Sequence, residues 1–253
     1  MLASDLAVAL DPSLIMAKAG LTPDAWQAGL LRSTGKRHLL LCTRQAGKST
    51  TTAALAVWEA LYNAPALILL LSPSQRQSQE LFRKVLDFYN ALELPGKPEQ
   101  SALRLELPNG SRIIALPGTE ATIRGYSGVR LLIIDEASRV EDSLYYSIRP
   151  MLAVSGGRII ALTTPFGKRG FFHQEWQSRD GWETVKITAK QCPRISPEFL
   201  EEEKHKLGDW WFSQEYMCEF RETTDQVFAY DLIQAAMSDD VKPLFATTFG
   251  ATQ

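Results

Sequence analysis

Leu39-Leu40-Leu41-Cys42-Thr43-Arg44-Gln45-Ala46-Gly47-Lys48-Ser49-Thr50-Thr51-Thr52 is the stretch on which the fold turns. It reads as an apolar strand, a short loop, and then Gly47-Lys48-Ser49 opening a helix. Few tasks require a backbone that wraps an anion directly after a buried strand. In a phosphate-binding loop the backbone N–H groups and the helix N-terminus surround the phosphates, the lysine reaches the β- and γ-phosphates, and the hydroxyl holds Mg²⁺. Lys48 and Ser49 stand at those positions, and Thr43, Arg44, Gln45, Ala46, Gly47 and Thr50 complete the loop. The loop is a variant, because the pattern G-x-x-x-x-G-K-[ST] wants glycine where Cys42 stands. Alone, Gly-Lys-Ser also fits an ordinary helix start with a solvated lysine.

Downstream, Leu131-Leu132-Ile133-Ile134-Asp135-Glu136 is a buried strand ending in two carboxylates. An aspartate at a strand tip beside a phosphate loop holds Mg²⁺, and the adjacent glutamate orients and deprotonates the attacking water. Taken alone, the pair reads equally as acidic residues at the start of a helix. The two motifs together favour a nucleotide site.

Four further features fit the same site. Gln27 lies upstream of the loop strand, and a side-chain amide there matches the N6/N7 edge of adenine; on spacing alone, a surface glutamine beside Trp26 fits as well. Arg44, inside the loop, can contact the γ-phosphate or a neighbouring subunit. Arg124 precedes the Asp135 strand, with Gly125 turning the backbone so that the guanidinium projects as a finger for transition-state charge; the alternative is an arginine that satisfies loop backbone. Thr163-Thr164-Pro165 follows the strand Arg158–Leu162, and its hydroxyls can sense the γ-phosphate or simply close a strand-end turn.

Apolar runs alternate with amphipathic stretches through most of the chain. Strands are expected at His38–Cys42, Ala66–Leu71, Leu131–Asp135, Arg158–Leu162 and Thr184–Ile187, with helices at Lys48–Tyr62, Gln75–Leu92, Asp142–Val154 and Lys168–Gln177. This is the alternation of an α/β fold: three layers, a mainly parallel central sheet, and helices on both faces. Leu103–Leu107 and Arg112–Leu116 read as a hairpin around Asn109-Gly110. Pro197 starts a polar helix, followed by an aromatic stripe (Trp210, Trp211, Phe212, Tyr216, Phe220) whose spacing points to the core rather than to base stacking. Arg76, Arg83 and Lys84 head the Gln75–Leu92 helix as a DNA-tracking face or as solvated charge. Residues 1–19 read as an N-terminal extension, 20–222 as the ATPase domain with a small lid region near its end, and 223–253 as a linker with one short helix within Val227–Phe249.

The 253 residues are 45% hydrophobic and 22% charged, a globular balance. A formal net charge of −2 gives no whole-protein case for nucleic acid, so DNA contact needs a local basic face or a shared channel. The three cysteines show no metal spacing and read as buried thiols in a reducing compartment. The apolar runs are too short to cross a membrane, and the N-terminus lacks a basic leader. The expectation is a soluble intracellular protein without a membrane partner.

These residues resemble the ATPase domain of the large terminase subunit, the DNA-packaging motor of tailed bacteriophages. Trp26-Gln27, Thr43–Ser49, the Leu71-Ser72-Pro73-Ser74 strand end, Ile123-Arg124-Gly125, Ile133–Ala137 and Thr163–Gly167 carry the likeness over most of residues 20–222. The resemblance implies a RecA-like P-loop NTPase of the additional-strand (ASCE) type that hydrolyses ATP with Mg²⁺ and moves double-stranded DNA into a procapsid. It further implies a portal and a small terminase subunit as partners, and the bacterial host cytoplasm as its setting. The assembled form would be a homo-oligomeric ring, dissociating to monomers in dilute solution. By the same likeness Gln27 reads adenine, Lys48 and Ser49 bind phosphate and metal, Asp135 holds Mg²⁺ and Glu136 activates water. Arg124 acts in trans, and Thr163 and Thr164 couple hydrolysis to movement. Such proteins continue into an RNase H-like nuclease, so a chain stopping near residue 253 is expected not to cut DNA. The first half of a superfamily 2 helicase, a non-catalytic nucleotide-binding scaffold and a functionless truncation product are the competing readings.

Overall fold

Short apolar runs that are buried on both faces must pair laterally, and here they do. In the computed structural model, residues 2–117, 125–222 and 236 are described. Among them, eight strands form one sheet: β1 (Arg37–Cys42), β2 (Leu67–Ser72), β3 (Glu99–Gln100), β4 (Arg104–Glu106), β5 (Arg112–Pro117), β6 (Val129–Asp135), β7 (Arg158–Thr163) and β8 (Glu183–Ile187). The order is β3-β4-β5-β2-β6-β7-β1-β8. From β5 to β8 every neighbouring pair is parallel. The short β3 and β4 add antiparallel at the β5 edge.

Successive side chains of a strand point to opposite faces, and both faces are covered. Leu40, Cys42, Ile68, Leu70, Ile133 and Ile160 pack under the helices Lys48–Tyr62 and Gln75–Ala91. Leu39, Leu41, Leu69, Leu132, Ile134 and Ala161 pack under the helices Asp142–Ser155 and Gly170–Ser178. The three-layer arrangement follows from that period-2 division. One strand, β7, lies between β1, which leads into the phosphate loop, and β6, which ends at Asp135. That inserted strand is the mark of the additional-strand P-loop ATPase architecture.

The chain divides into two units, Glu222–Gln253 and the larger Met1–Arg221. Val8, Ile15 and Met16 are buried in the core of that unit, and Trp58 Nε1 donates to Val8 O at 2.8 Å. The reason is apolar: these side chains cover the outer flank of the Lys48–Tyr62 helix, which would otherwise face water. In the hairpin only Gly110 has positive φ (+83°). Asn109 fixes the turn instead through its side chain, accepting from Ser111 N at 3.0 Å and donating to Ala60 O at 2.9 Å. Gly208, with a φ of +72°, kinks the helix Pro197–Glu215 just before the aromatic stripe begins. Phe212 is buried while Trp211 stands half exposed.

Arg124 and the tail beyond residue 222, apart from residue 236, lie outside the described residues, and the short helix expected within Val227–Phe249 falls there. Among the described residues no helix is long and apolar enough to cross a membrane.

Candidate functional site

The three informative strand ends, Cys42, Asp135 and Thr163, lie at the carboxyl edge of the parallel strands, where α/β sheets bind ligands. The loop after β1 takes positive φ at Gln45 (+62°) and at Gly47 (+85°), and Gly47 is the N-cap of the Lys48–Tyr62 helix. The positive φ at Gly47 favours glycine, and a Cβ there would sit 2.6 Å from Gln27 Nε2, so the Gln27 amide would have to shift. No side chain caps this helix. Its first N–H groups therefore remain directed at the loop interior, a ready site for an anion.

Lys48 is buried with its Nζ 3.4 Å from Glu136 Oε1. Ser49 Oγ donates to Asp135 Oδ2 at 3.0 Å, and the Glu136 backbone N–H donates to Asp135 Oδ1, also at 3.0 Å. Four predicted residues thus form one continuous polar chain: Ser49, Asp135, Glu136 and Lys48. Glu136 adopts the left-handed conformation (φ +50°, ψ +45°). For a residue with a Cβ this conformation costs about 1–2 kcal/mol. Burial first, then the Glu136 charge, push the Asp135 pKa up to about 6, while Lys48 and Ser49 act the other way. A buried carboxylate and a hydroxyl facing each other at a helix N-terminus are hard oxygen donors, and they suit a Mg²⁺ that keeps most of its waters.

The cavity here is about 370 Å³, and Gln27, Gly47, Lys48, Ser49, Thr50, Met16, Leu21 and Arg194 are among the residues that line it. A larger cleft of about 680 Å³ opens at the opposite edge of the sheet between Arg37, Tyr145, Arg149 and Trp182. The phosphate-binding backbone Gly47–Thr50 lines the smaller cavity and does not reach this cleft, so the smaller cavity is the candidate.

Residues 39–235 match the family of the terminase large subunit, T4likevirus-type, N-terminal. The chain belongs to this family. A large terminase subunit of Thermus phage G20c is 24% identical over 247 residues, covering 83% of this chain and 51% of the relative. The chain spans about half the length of the curated relatives it matches. Among solved structures, the large terminase ATPase domain of Thermus phage P74-26 superposes with a TM-score of 0.73 at 21% identity, over 81% of this chain and 97% of that one. A large terminase of a thermophilic bacteriophage, solved in complex with ADP, superposes at 0.59 with 12% identity, over 82% of this chain and 53% of that one. At these identities the superpositions speak for the fold.

In this terminase-family chain the remaining predicted residues take distinct places. Gln27 is buried, its Oε1 accepting from Asp24 N at 2.8 Å and its Nε2 donating to Ala46 O at 3.4 Å. Arg44 is largely exposed, and its Nε donates to Glu215 Oε2 at 2.6 Å. Thr43 Oγ1 donates to Glu215 O at 2.9 Å, so that hydroxyl is turned away from the phosphates. Thr163 Oγ1 donates to Thr164 O at 2.7 Å and accepts from Ser138 N at 3.3 Å. It thereby ties the end of β7 to the turn that follows Glu136 instead of pointing into the cavity.

Sequence reasoning missed two residues at the loop. Arg194 Nη2 donates to Ala46 O at 3.1 Å, and its two Nη atoms grip both Asp24 oxygens at 3.1 and 2.7 Å. Glu215 receives Arg44 and Thr43 as above. Both come from the polar segment after β8, where only the adjacency of β8 to β1 brings them back, and no local pattern announces that adjacency.

The Asp135 environment has a measurable consequence. Its folded pKa lies above the usual 3.8, so the native state binds the extra proton between roughly pH 4 and pH 6 and loses stability as pH rises through that window. Asp135→Asn removes the buried charge while its amide still pairs with Ser49. In chelator, the variant is expected to be more stable than wild type at pH 8 by up to about 3 kcal/mol, with the gain gone below about pH 4. Urea midpoints across pH check this; a gain of equal size at pH 4 and pH 8 would contradict it.

Proposed function

We propose that the chain hydrolyses ATP to drive double-stranded DNA into a viral procapsid, as the ATPase part of a large terminase subunit. The observation that carries the reading is the unbroken chain Ser49–Asp135–Glu136–Lys48 at the mouth of the phosphate loop. That a large terminase with this fold forms a complex with ADP supports a nucleotide as the ligand.

The chemistry follows from these groups. The triphosphate enters the loop and Lys48 moves its contact from Glu136 to the phosphates, neutralising charge that grows on the leaving oxygen. Glu136, released from its ion pair, accepts a proton from the water that attacks the γ-phosphorus, and the bond to the bridging oxygen of ADP breaks. Asp135 and Ser49 would hold Mg²⁺, which would supply charge neutralisation at the phosphates when bound. Thr163 links β7 to the Ser138 turn, so displacement of the Glu136 segment on phosphate release is transmitted into the sheet. The portal, the small terminase subunit and a ring of copies in the host cytoplasm belong to the same reading, with Arg124 completing the neighbour's site.

The test is ATP affinity by calorimetry and phosphate release at rising protein concentration. Saturable, Mg²⁺-dependent release is expected. Lys48→Ala is expected to weaken ATP binding by roughly 10–100-fold, the size of a lost charge-assisted hydrogen bond. Binding and release that ignore both Mg²⁺ and the Lys48 substitution would sink the proposal.

A further inference from the structure

The Ala46 carbonyl, in the middle of the phosphate loop, receives two donors. Gln27 Nε2 approaches at 3.4 Å, the long limit of a hydrogen bond, and Arg194 Nη2 at 3.1 Å. The same guanidinium holds both oxygens of Asp24, the residue whose backbone N–H donates to Gln27 Oε1 at 2.8 Å. Arg194 therefore touches the two groups that touch the two ends of the Gln27 amide. Its pairing with Asp24 is bidentate, the geometry in which arginine loses least on ordering.

We infer that Arg194 is a positioning residue for base selection: it fixes which way the Gln27 amide faces and leaves that amide free to bond the nucleobase. An amide nitrogen carries two hydrogens and an amide oxygen two lone pairs. With Oε1 accepting from Asp24 N–H, one lone pair stays available for the exocyclic amine of adenine, and one Nε2 hydrogen for N7. A guanine would present its O6 to Oε1, acceptor against acceptor. The distinction survives only while the amide keeps its orientation. Arg194 secures it by clamping Asp24, the N-cap of the Ala25–Arg32 helix. Because Arg194 also satisfies Ala46 O, Gln27 Nε2 can leave that carbonyl for the base without stranding a buried acceptor. Without the arginine, Ala46 O depends on Gln27 alone, and the Asp24 carboxylate becomes a rival acceptor for the same Nε2. No sequence motif marks this role, since Arg194 stands 148 residues from Ala46 in the chain.

The inference rests on the ATP reading of the site, and the experiment separates the two. ATP and GTP affinities, with kcat and KM for each, are measured for wild type, Arg194→Ala, Arg194→Lys and Gln27→Ala. Wild type is expected to prefer ATP. Arg194→Ala is expected to raise KM for ATP by about tenfold and to narrow the ATP-over-GTP preference by a similar factor, with kcat nearly unchanged because Lys48 and Glu136 are untouched. Arg194→Lys, which cannot span Asp24 and Ala46 together, is expected to recover thermal stability without recovering the preference. In a Gln27→Ala background, adding Arg194→Ala is expected to leave the preference where it is. A variant that melts earlier yet keeps its preference, or a wild type with none, overturns the inference while the ATP reading stands. Wild type that binds neither nucleotide overturns the ATP reading itself.

Discussion

Glu136→Gln is expected to lower ATP turnover by roughly 10²–10⁴-fold, the range for removing a positioned general base, while ATP continues to bind. The reasoning separates the two neighbouring carboxylates. Asp135 is buried and spent on Ser49 Oγ and on a backbone N–H. Glu136 is half-buried, among the described residues is anchored by the Lys48 ion pair alone, and takes a left-handed backbone at its own position. Only Glu136 is therefore free to take a proton once Lys48 turns to phosphate. Glutamine keeps the size and removes the base. It also removes the counter-charge that holds Lys48, so ATP affinity should hold or tighten, which sets this variant apart from Lys48→Ala. Single-turnover phosphate release together with calorimetric ATP affinity reads both effects. Turnover within a few-fold of wild type would move the base elsewhere.

Much of this arrangement is legible in the sequence because it is local. Leu39–Cys42 and Leu131–Asp135 are short apolar runs followed at once by their functional residues, so the strand, its carboxyl edge and the side chain it delivers are read together. Gly47 answers to the left-handed backbone at its position, φ +85°. What sequence does not reveal is non-local. Nothing near Met16 says that it lines the candidate cavity, because its burial depends on the flank of a helix that begins at Lys48. Nothing near Arg194 or Glu215 points to residues 43–46, because parallel pairing of β8 with β1 decides that neighbourhood. The strand-end position of Thr163-Thr164 is compatible both with sensing phosphate and with closing a turn. The direction of the Thr163 hydroxyl, back to Thr164 O and Ser138 N, depends on the inserted position of β7 beside β6.

Arg124→Ala is expected to reduce ATP turnover of the assembled protein by about 10³–10⁵-fold, the value of an arginine that meets transition-state charge. The alternative cation is Arg44, and the two can be weighed on structure and chemistry. Arg44 stands in the phosphate loop, but its guanidinium is engaged at 2.6 Å by Glu215 of its own chain, which draws it outward toward the Leu207 and Trp211 surface. An exposed pair of this kind is worth less than about 1 kcal/mol, so Arg44 could be released, yet its resting direction is away from the γ-phosphate position beside Lys48. Arg44→Ala is accordingly expected to change turnover by only a few-fold. Mixing decides whether Arg124 acts in trans. Glu136→Gln subunits retain Arg124 but cannot hydrolyse; Arg124→Ala subunits retain the base but lack the finger. Each alone should be nearly inactive, and an equimolar mixture should regain turnover in proportion to the contacts in which an intact Arg124 faces an intact Glu136. If the mixture stays as inactive as its components while wild type is active, Arg124 serves its own subunit, and cooperation between neighbours must rest on some other group.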